Sequence, residues 1–265
     1  MVGVLIAALL ASAPVAPSAP SASLLQPHPA MWVIRDEDTT VYLFGTFHAL
    51  DGRSQWFEDG IRDAFSSADE LVLETVIPEQ PQVAVAAPSA MPRGFSVAPG
   101  ASFLASTRMA ISAGRDRGMQ VNKGADMVLR RAAEAEGKAV EGLESFDFQL
   151  GMFNRMAPAA PVAATPVEEP GAKARLAAVM AQMEAAWSCG DQRIFTALLD
   201  DMRQATPDNY RAMFPERNVR WADWIVDRME QPGTVFVAVG AGHFAGPDSV
   251  LSKLTLRGKV ATRVN

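Results

Sequence analysis

Apolar and polar positions divide this chain into short buried strands and longer amphipathic helices. Val235-Phe236-Val237-Ala238-Val239 is an unbroken run of mostly β-branched and aromatic residues, the pattern of a strand buried on both faces of a parallel sheet. Gly240-Ala241-Gly242-His243-Phe244 follows at once, so the run ends in glycines that let backbone approach closely, and then in a histidine. The arrangement recurs near the other end, where Val41-Tyr42-Leu43-Phe44 leads into Gly45-Thr46-Phe47-His48. In open α/β folds the carboxyl edge of the sheet is where ligands bind, so both motifs are expected there.

Taken in order, β-rich residues over 30–35 and 39–44 flank Asp36-Glu37-Asp38 and predict a hairpin, its first strand an edge and its second interior. After the Asp51-Gly52 turn, Phe57, Ile61, Ala64 and Phe65 share one helical face, and Leu71-Val72-Leu73 is a strand ending in Glu74-Thr75. This β-α-β unit predicts parallel strands whose carboxyl ends lie side by side, so Glu74 emerges on the edge that carries His48. Residues 78–99, rich in Pro, Ala and Val, read as a surface excursion, and a helix is expected over 102–117. A further helix over 125–136 is capped by Gly137, and a strand over 138–144 delivers Glu144. The Pro/Ala-rich stretch 156–173 predicts a linker, and 174–230 a helical part. Its stripes are Leu176, Val179, Met180, Met183 and Trp187, then Ile194, Ala197, Leu198 and Met202. One more helix over 210–229 carries Arg217, Trp221, Trp224, Ile225 and Arg228, and a helix over 247–254 and a strand over 259–264 close the chain. The fold class predicted is α/β, a central, mostly parallel sheet flanked by helices with a helical insertion, in one domain over 24–265.

Composition narrows the function classes. At 265 residues and a net charge of −6, the chain has no polycationic stripe, which argues against nucleic acid as a partner. A single cysteine, Cys189, excludes an internal disulfide and a cysteine-rich zinc site. The apolar run over 2–11, followed by small residues and prolines, reads as a secretory leader over 1–23, though without a basic start. It is shorter than the ~20 residues a membrane span needs, so an exported, periplasmic protein without a span in its mature chain is expected, with a short N-terminal anchor as the alternative. There is no Gly-x-Ser-x-Gly elbow, P-loop or Gly-x-Gly-x-x-Gly after a strand.

The chain has three histidines, and two of them, His48 and His243, sit in the Gly-x-x-His setting. Two imidazoles and the Glu74 carboxylate at one sheet edge have the makings of a divalent-metal site with an open position for a water. Each also has a structural reading: a histidine after a strand is often hydrogen-bonded in place, and an acid often ends a strand where it meets water. Glu144 is the second acid candidate. Arg217-Asn218 has the donors to orient a carbonyl or anionic oxygen, while Arg217 and Arg228 equally suit stacking on Trp221 and Trp224.

Gly45-Thr46-Phe47-His48, the strand ending in Glu74, Arg217-Asn218-x-x-Trp221 and Gly240-Ala241-Gly242-His243-Phe244-Ala245-Gly246 together resemble the TraB/GumN family, related to the animal Tiki proteins. The resemblance spans about 30–264. It implies a fold similar to the erythromycin-esterase and ChaN-like group, with both Gly-x-x-His motifs on a common cleft that includes Gly45, Thr46, Gly240 and Gly242. By analogy with Tiki metalloproteases, His48 and His243 become ligands of Mn, Co or Zn, and Glu74 a ligand or general base. Arg217 and Asn218 would line the cleft, and Asp126, Glu144 and Gln149 also match family positions. The function expected is a metal-dependent, peptidase-like hydrolase acting on a peptide or small-molecule substrate. The alternatives are a non-catalytic periplasmic binder of a tetrapyrrole or other small ligand, and an accessory factor in envelope polysaccharide assembly.

Overall fold

The computed structural model of the protein describes residues 27–78, 112–156 and 171–265. The leader over 1–23, residues 79–99 of the excursion, 102–111 of the helix that follows, and 157–170 of the linker lie outside the described residues.

Six strands form one mixed sheet: β1 (Met31–Arg35), β2 (Thr39–Thr46), β3 (Glu70–Thr75), β4 (Ala139–Glu144), β5 (Gly233–Gly240) and β6 (Thr262–Arg263), in the spatial order β4-β3-β5-β2-β1-β6. β5 is the core strand. Its residues Val235 to Val239 are all buried, and it pairs in parallel with β2 on one side and β3 on the other. β3 also pairs in parallel with β4, so four strands end on one edge. The expected β-α-β unit is present, with α1 (Asp59–Ser67) between β2 and β3, but β5 inserts between the two strands instead of leaving them adjacent. That insertion has a direct consequence: it places the closing Gly-Ala-Gly-His between His48 and Glu74.

β1 and β2 form the predicted antiparallel hairpin, in register from Met31 opposite Phe44 to Arg35 opposite Thr40. β1 is not the edge, however, because β6 covers Trp32 and Val33. The side chain of Asn265 reinforces that closure by accepting from Met31 N at 2.7 Å.

Because side chains alternate along a strand, the sheet has two apolar faces. Val41, Leu43, Val72, Val235, Val237 and Val239 pack against Trp221, Ala222 and Ile225 of α7 (Pro215–Arg228) and Val250 and Leu254 of α8 (Val250–Thr255). On the other face Phe44, Leu71, Leu73, Phe236 and Ala238 meet α1, α2 (Ala125–Ala135), α4 (Ala172–Ser188) and α5 (Arg193–Ala205). The result is a three-layer α/β/α arrangement. Trp187 of α4 is 1 % exposed and donates from Nε1 to Gly45 O at 2.7 Å, which ties the helical part to the first histidine motif.

Three expectations for the helical part change. α4 begins at Ala172, so Lys173 is helical rather than part of a linker. On α5 the buried face is Phe195, Leu198, Leu199 and Met202, while Ala197 is exposed. The helix expected over 210–229 is two helices, α6 (Pro207–Met213) and α7, broken at Phe214. Pro215 has no N–H to continue α6 but suits the first turn of α7. Among the described residues no helix is long and apolar enough to cross a membrane.

Candidate functional site

The four parallel strands bring their carboxyl ends together, with Thr46 in register with Gly240 and Thr75 with Glu144. Beyond Gly240 the chain turns through a short 3-10 segment, Ala241–Phe244, which buries Gly242 and His243. Gly45 permits this turn, since a Cβ there would lie 3.2 Å from Ala241 Cα. Gly240 has an ordinary backbone, φ −50° and ψ 133°, so its lack of a side chain is about space. A Cβ on Gly240 would lie 3.0 Å from His48 Nε2 and 3.6 Å from Glu74 Oε2. An imidazole nitrogen and a carboxylate oxygen thus face the same small volume above the end of β5. Thr46, beside Gly240 in the sheet, is buried, and its Oγ1 has no hydrogen-bond partner among the described residues.

Behind this volume lies a buried charge network. Arg217, 1 % exposed on α7, donates from Nε to both oxygens of Glu144 at 3.1 and 2.9 Å, and its second terminal nitrogen donates to Glu74 Oε1. The other terminal nitrogen points to Met213 O and His243 Nε2, at 3.3 and 3.4 Å. Met213 closes α6, so its carbonyl is one of those a helix end leaves without an internal partner. The kink at Phe214 thus supplies an acceptor for the guanidinium. Gln149 of α3 (Phe146–Arg155) bridges the two acids, at 3.1 Å to Glu74 and 3.4 Å to Glu144. Ser145 caps α3 by accepting from Phe148 N, so the turn from β4 into α3 delivers both Glu144 and Gln149. The guanidinium also lies 4.6 Å from the Trp221 ring, so the stacking reading of Arg217 holds beside its ion pairs.

Electrostatics follow from that packing. Burial would push the Glu74 carboxyl up, but Arg217 foremost, then His243 and His48, hold it down at about 2. Burial first, then the charge of Arg217, pushes His243 down to about 3, against the pull of Glu74. His243 is therefore a neutral imidazole. Its tautomer follows from its neighbours: Asn218 Nδ2 must donate to Asp248 O, 2.8 Å away, so Asn218 Oδ1 faces His243 Nδ1 at 2.6 Å and accepts from it. Asp248 is itself held by Tyr210 and Lys253 at 3.0 and 2.6 Å.

The sequence candidates His48, Glu74, Glu144, Gln149, Arg217, Asn218 and His243 all converge here. Two of them take other tasks than expected. Every nitrogen of Arg217 has a partner, so it holds carboxylates and has no donor left for a substrate oxygen. Asn218, 1 % exposed, orients His243 from behind and does not line an opening. Sequence reasoning missed Arg220, which donates to Glu144 Oε1 at 3.1 Å, and the Asp248-Tyr210-Lys253 support. Arg220 follows Arg217 by three positions and so shares its helical face, which was the available signal; nothing local marks Asp248.

A divalent ion on His48, His243 and Glu74 fits this arrangement only in part. His48 Nε2 and Glu74 Oε2 face one volume, but His243 has Nδ1 on Asn218 and Nε2 against a guanidinium. Among the described residues no group of three or more His, Cys, Asp or Glu side chains is placed to hold a metal. The three-ligand set does not fit.

His48 is more exposed than the groups behind it: its side chain keeps 15 % exposure, where Glu74 keeps 6 % and Arg217 1 %. Its Nδ1 lies 3.3 Å from Asp126 Oδ1.

No curated protein and no solved structure matches the chain. The model of the TraB/PrgY/gumN family, in contrast, matches residues 30–97 and 89–263, a span that holds both Gly-x-x-His motifs and Arg217-Asn218, and the chain belongs to that family.

Proposed function

We propose that the protein hydrolyses an amide or ester bond in a peptide or small-molecule substrate, with His48 as general base and Glu74 as a fixed anion beside it. The observation that carries this reading is the convergence of His48 Nε2 and Glu74 Oε2 on the bare face of Gly240.

The assignment of roles follows from magnitudes. A carboxylate held at about 2 is too weak a base to take a proton near neutral pH, which argues against Glu74 as the base. An imidazole is suited to that work. In this reading a water above Gly240 gives one proton to His48 Nε2 while its oxygen attacks the substrate carbonyl. The imidazolium formed lies next to Glu74, which stabilises it, and the proton then passes to the departing amine or alkoxide. Arg217 keeps Glu74 ionised and in place, with Glu144 and Gln149 fixing Arg217 in turn. His243, neutral and buried, packs against Trp221 with ring centroids 4.3 Å apart and acts as part of that wall.

The metal-dependent form of the reaction belongs to the same proposal as its rival, and chelation separates them. With fluorogenic peptides and chromogenic esters, turnover is expected to survive dialysis against chelator and to fall by roughly 10²–10⁴-fold in His48→Gln, the range for loss of a general base. Loss on chelation with recovery on Mn²⁺, Co²⁺ or Zn²⁺ would instead make His48 and Glu74 ligands. Wild-type protein with no turnover that gains a tetrapyrrole absorption band and a melting shift would overturn the hydrolase reading in favour of a ligand binder. Export, argued from the leader, is part of the proposal, and fractionation of cells expressing the full chain tests it.

A further inference from the structure

We propose that Asp126 is a positioning residue: it holds the proton of His48 on Nδ1, so that Nε2 faces Gly240 and Glu74 as a bare lone pair. The functional meaning rests on the hydrolase reading above, but the tautomer itself does not.

The placement is built into the chain. The amino end of α2 is docked on the first histidine motif, with Ala125 N donating to Phe47 O at 2.9 Å. Gly124, just ahead of α2, has φ −56° and ψ 152°, a backbone open to any residue. It lacks a side chain for a different reason: a Cβ there would lie 2.3 Å from His48 O and 2.9 Å from Asp126 Oδ1. Backbone contact of that kind cannot relax cheaply, so Gly124 is what lets α2 close on His48. Asp126, in the first turn, is thereby carried to the imidazole. Its Oδ1 is 3.3 Å from His48 Nδ1, buried, and without a hydrogen-bond partner among the described residues. An unpaired buried acceptor is costly, and a small rotation of the His48 ring or of the Asp126 carboxylate brings Nδ1–H, 3.3 Å away, into line with it.

The chemistry of the pair follows. A carboxylate only accepts, so it selects the tautomer with hydrogen on Nδ1 and leaves Nε2 free to take a proton. It also places an anion next to a ring that becomes cationic during the reaction. A carboxamide in its place can donate to Nδ1 and so drive the proton to Nε2, the position the reaction needs empty.

The test uses the full chain with ¹⁵N-labelled histidine, with His48 signals assigned by their loss in His48→Gln. Two-bond ¹⁵N–¹H spectra recorded above pH 8 should show His48 protonated on Nδ1 in the wild type. Asp126→Asn should move it toward the Nε2-protonated form, and Asp126→Ala should give a mixture. With a substrate in hand, kcat in Asp126→Asn should fall by roughly 10²–10⁴-fold with KM little changed, and Asp126→Glu should restore part of it. An Nε2-protonated His48 in the wild type, or spectra that Asp126→Asn leaves unchanged, would overturn the proposal. The wild-type spectrum decides the first point even if a variant folds poorly. Should the tautomer shift as stated while the wild type turns over nothing, the hydrolase reading falls and the placement by Asp126 stands.

Discussion

Burying a neutral histidine against an arginine makes stability depend on acid, and His243 gives a quantity to measure. Its folded value is about 3, against 6.5 for the free side chain. The unfolded chain therefore binds a proton between those values that the folded chain does not, so the contribution is fully present above pH 6.5 and is lost as pH falls toward 3. From pH 7 to pH 5, RT ln[(1 + 10^(6.5 − pH))/(1 + 10^(3 − pH))] changes by about 2 kcal/mol. That figure depends on the unfolded value alone, because the native ring is still neutral at pH 5. Glu74, held at about 2 against 4.5, acts with the same sign but lower down, contributing up to about 3 kcal/mol that is lost between pH 4.5 and 2. The experiment is urea unfolding of the wild type and His243→Gln at pH 7 and pH 5. His243→Gln will be less stable at both, so the comparison is between the two pH differences. The other two histidines are common to both proteins and cancel. The wild type should lose about 2 kcal/mol more than the variant on acidification. Equal losses in the two proteins would refute the assignment of a buried neutral His243.

Two further substitutions probe the same cluster. Arg217→Met leaves the buried Glu74 without its cation and Glu144 with Arg220 alone, and should cost about 3–5 kcal/mol by urea unfolding, the range for breaking a buried ion pair; adding Glu74→Gln should recover part of that, and a second loss of equal size would show the two groups act independently. Gly240→Ala is conformationally allowed but sets a methyl 3.0 Å from His48 Nε2, so it should abolish turnover while moving the thermal midpoint by a few degrees at most; an active Gly240→Ala would mean that the volume above β5 is not where water sits.

What could be read from sequence was whatever a short period or a chain terminator encodes. The 235–239 run, the Ile61-Ala64-Phe65 face and the strand before Glu74 are local patterns, and all became the elements expected. Strand order is not local. Nothing in residues 39–75 says that a strand more than 150 positions further on will insert between β2 and β3, yet that insertion is what joins the two histidine motifs. The break at Phe214 is marked in the sequence by Pro215, which cannot continue a helix but can open one. In the site, glycines and histidines in matching frames were visible, but the partner of each ring nitrogen was not, because Asn218, Asp126 and Arg217 reach the histidines only through tertiary packing.

Those partners also separate two motifs that look alike in sequence. Each histidine has an oxygen facing Nδ1 and presents Nε2 forward. For His243 the oxygen belongs to an amide, the ring is enclosed, and Nε2 meets a guanidinium, so a proton on that ring would face a cation on one side and an uncharged amide on the other, with burial and Arg217 outweighing the pull of Glu74. For His48 the oxygen belongs to a carboxylate, Nε2 looks toward a second carboxylate, and one side of the ring is open to water. Identical Gly-x-x-His frames thus have different electrostatic settings: the His243 ring is enclosed beside a guanidinium that disfavours a charge on it, while the His48 ring lies between two carboxylates. A symmetric role for the two, as paired ligands of one ion, would require Arg217 to leave His243. Its ties to Glu74 and Glu144 oppose that move.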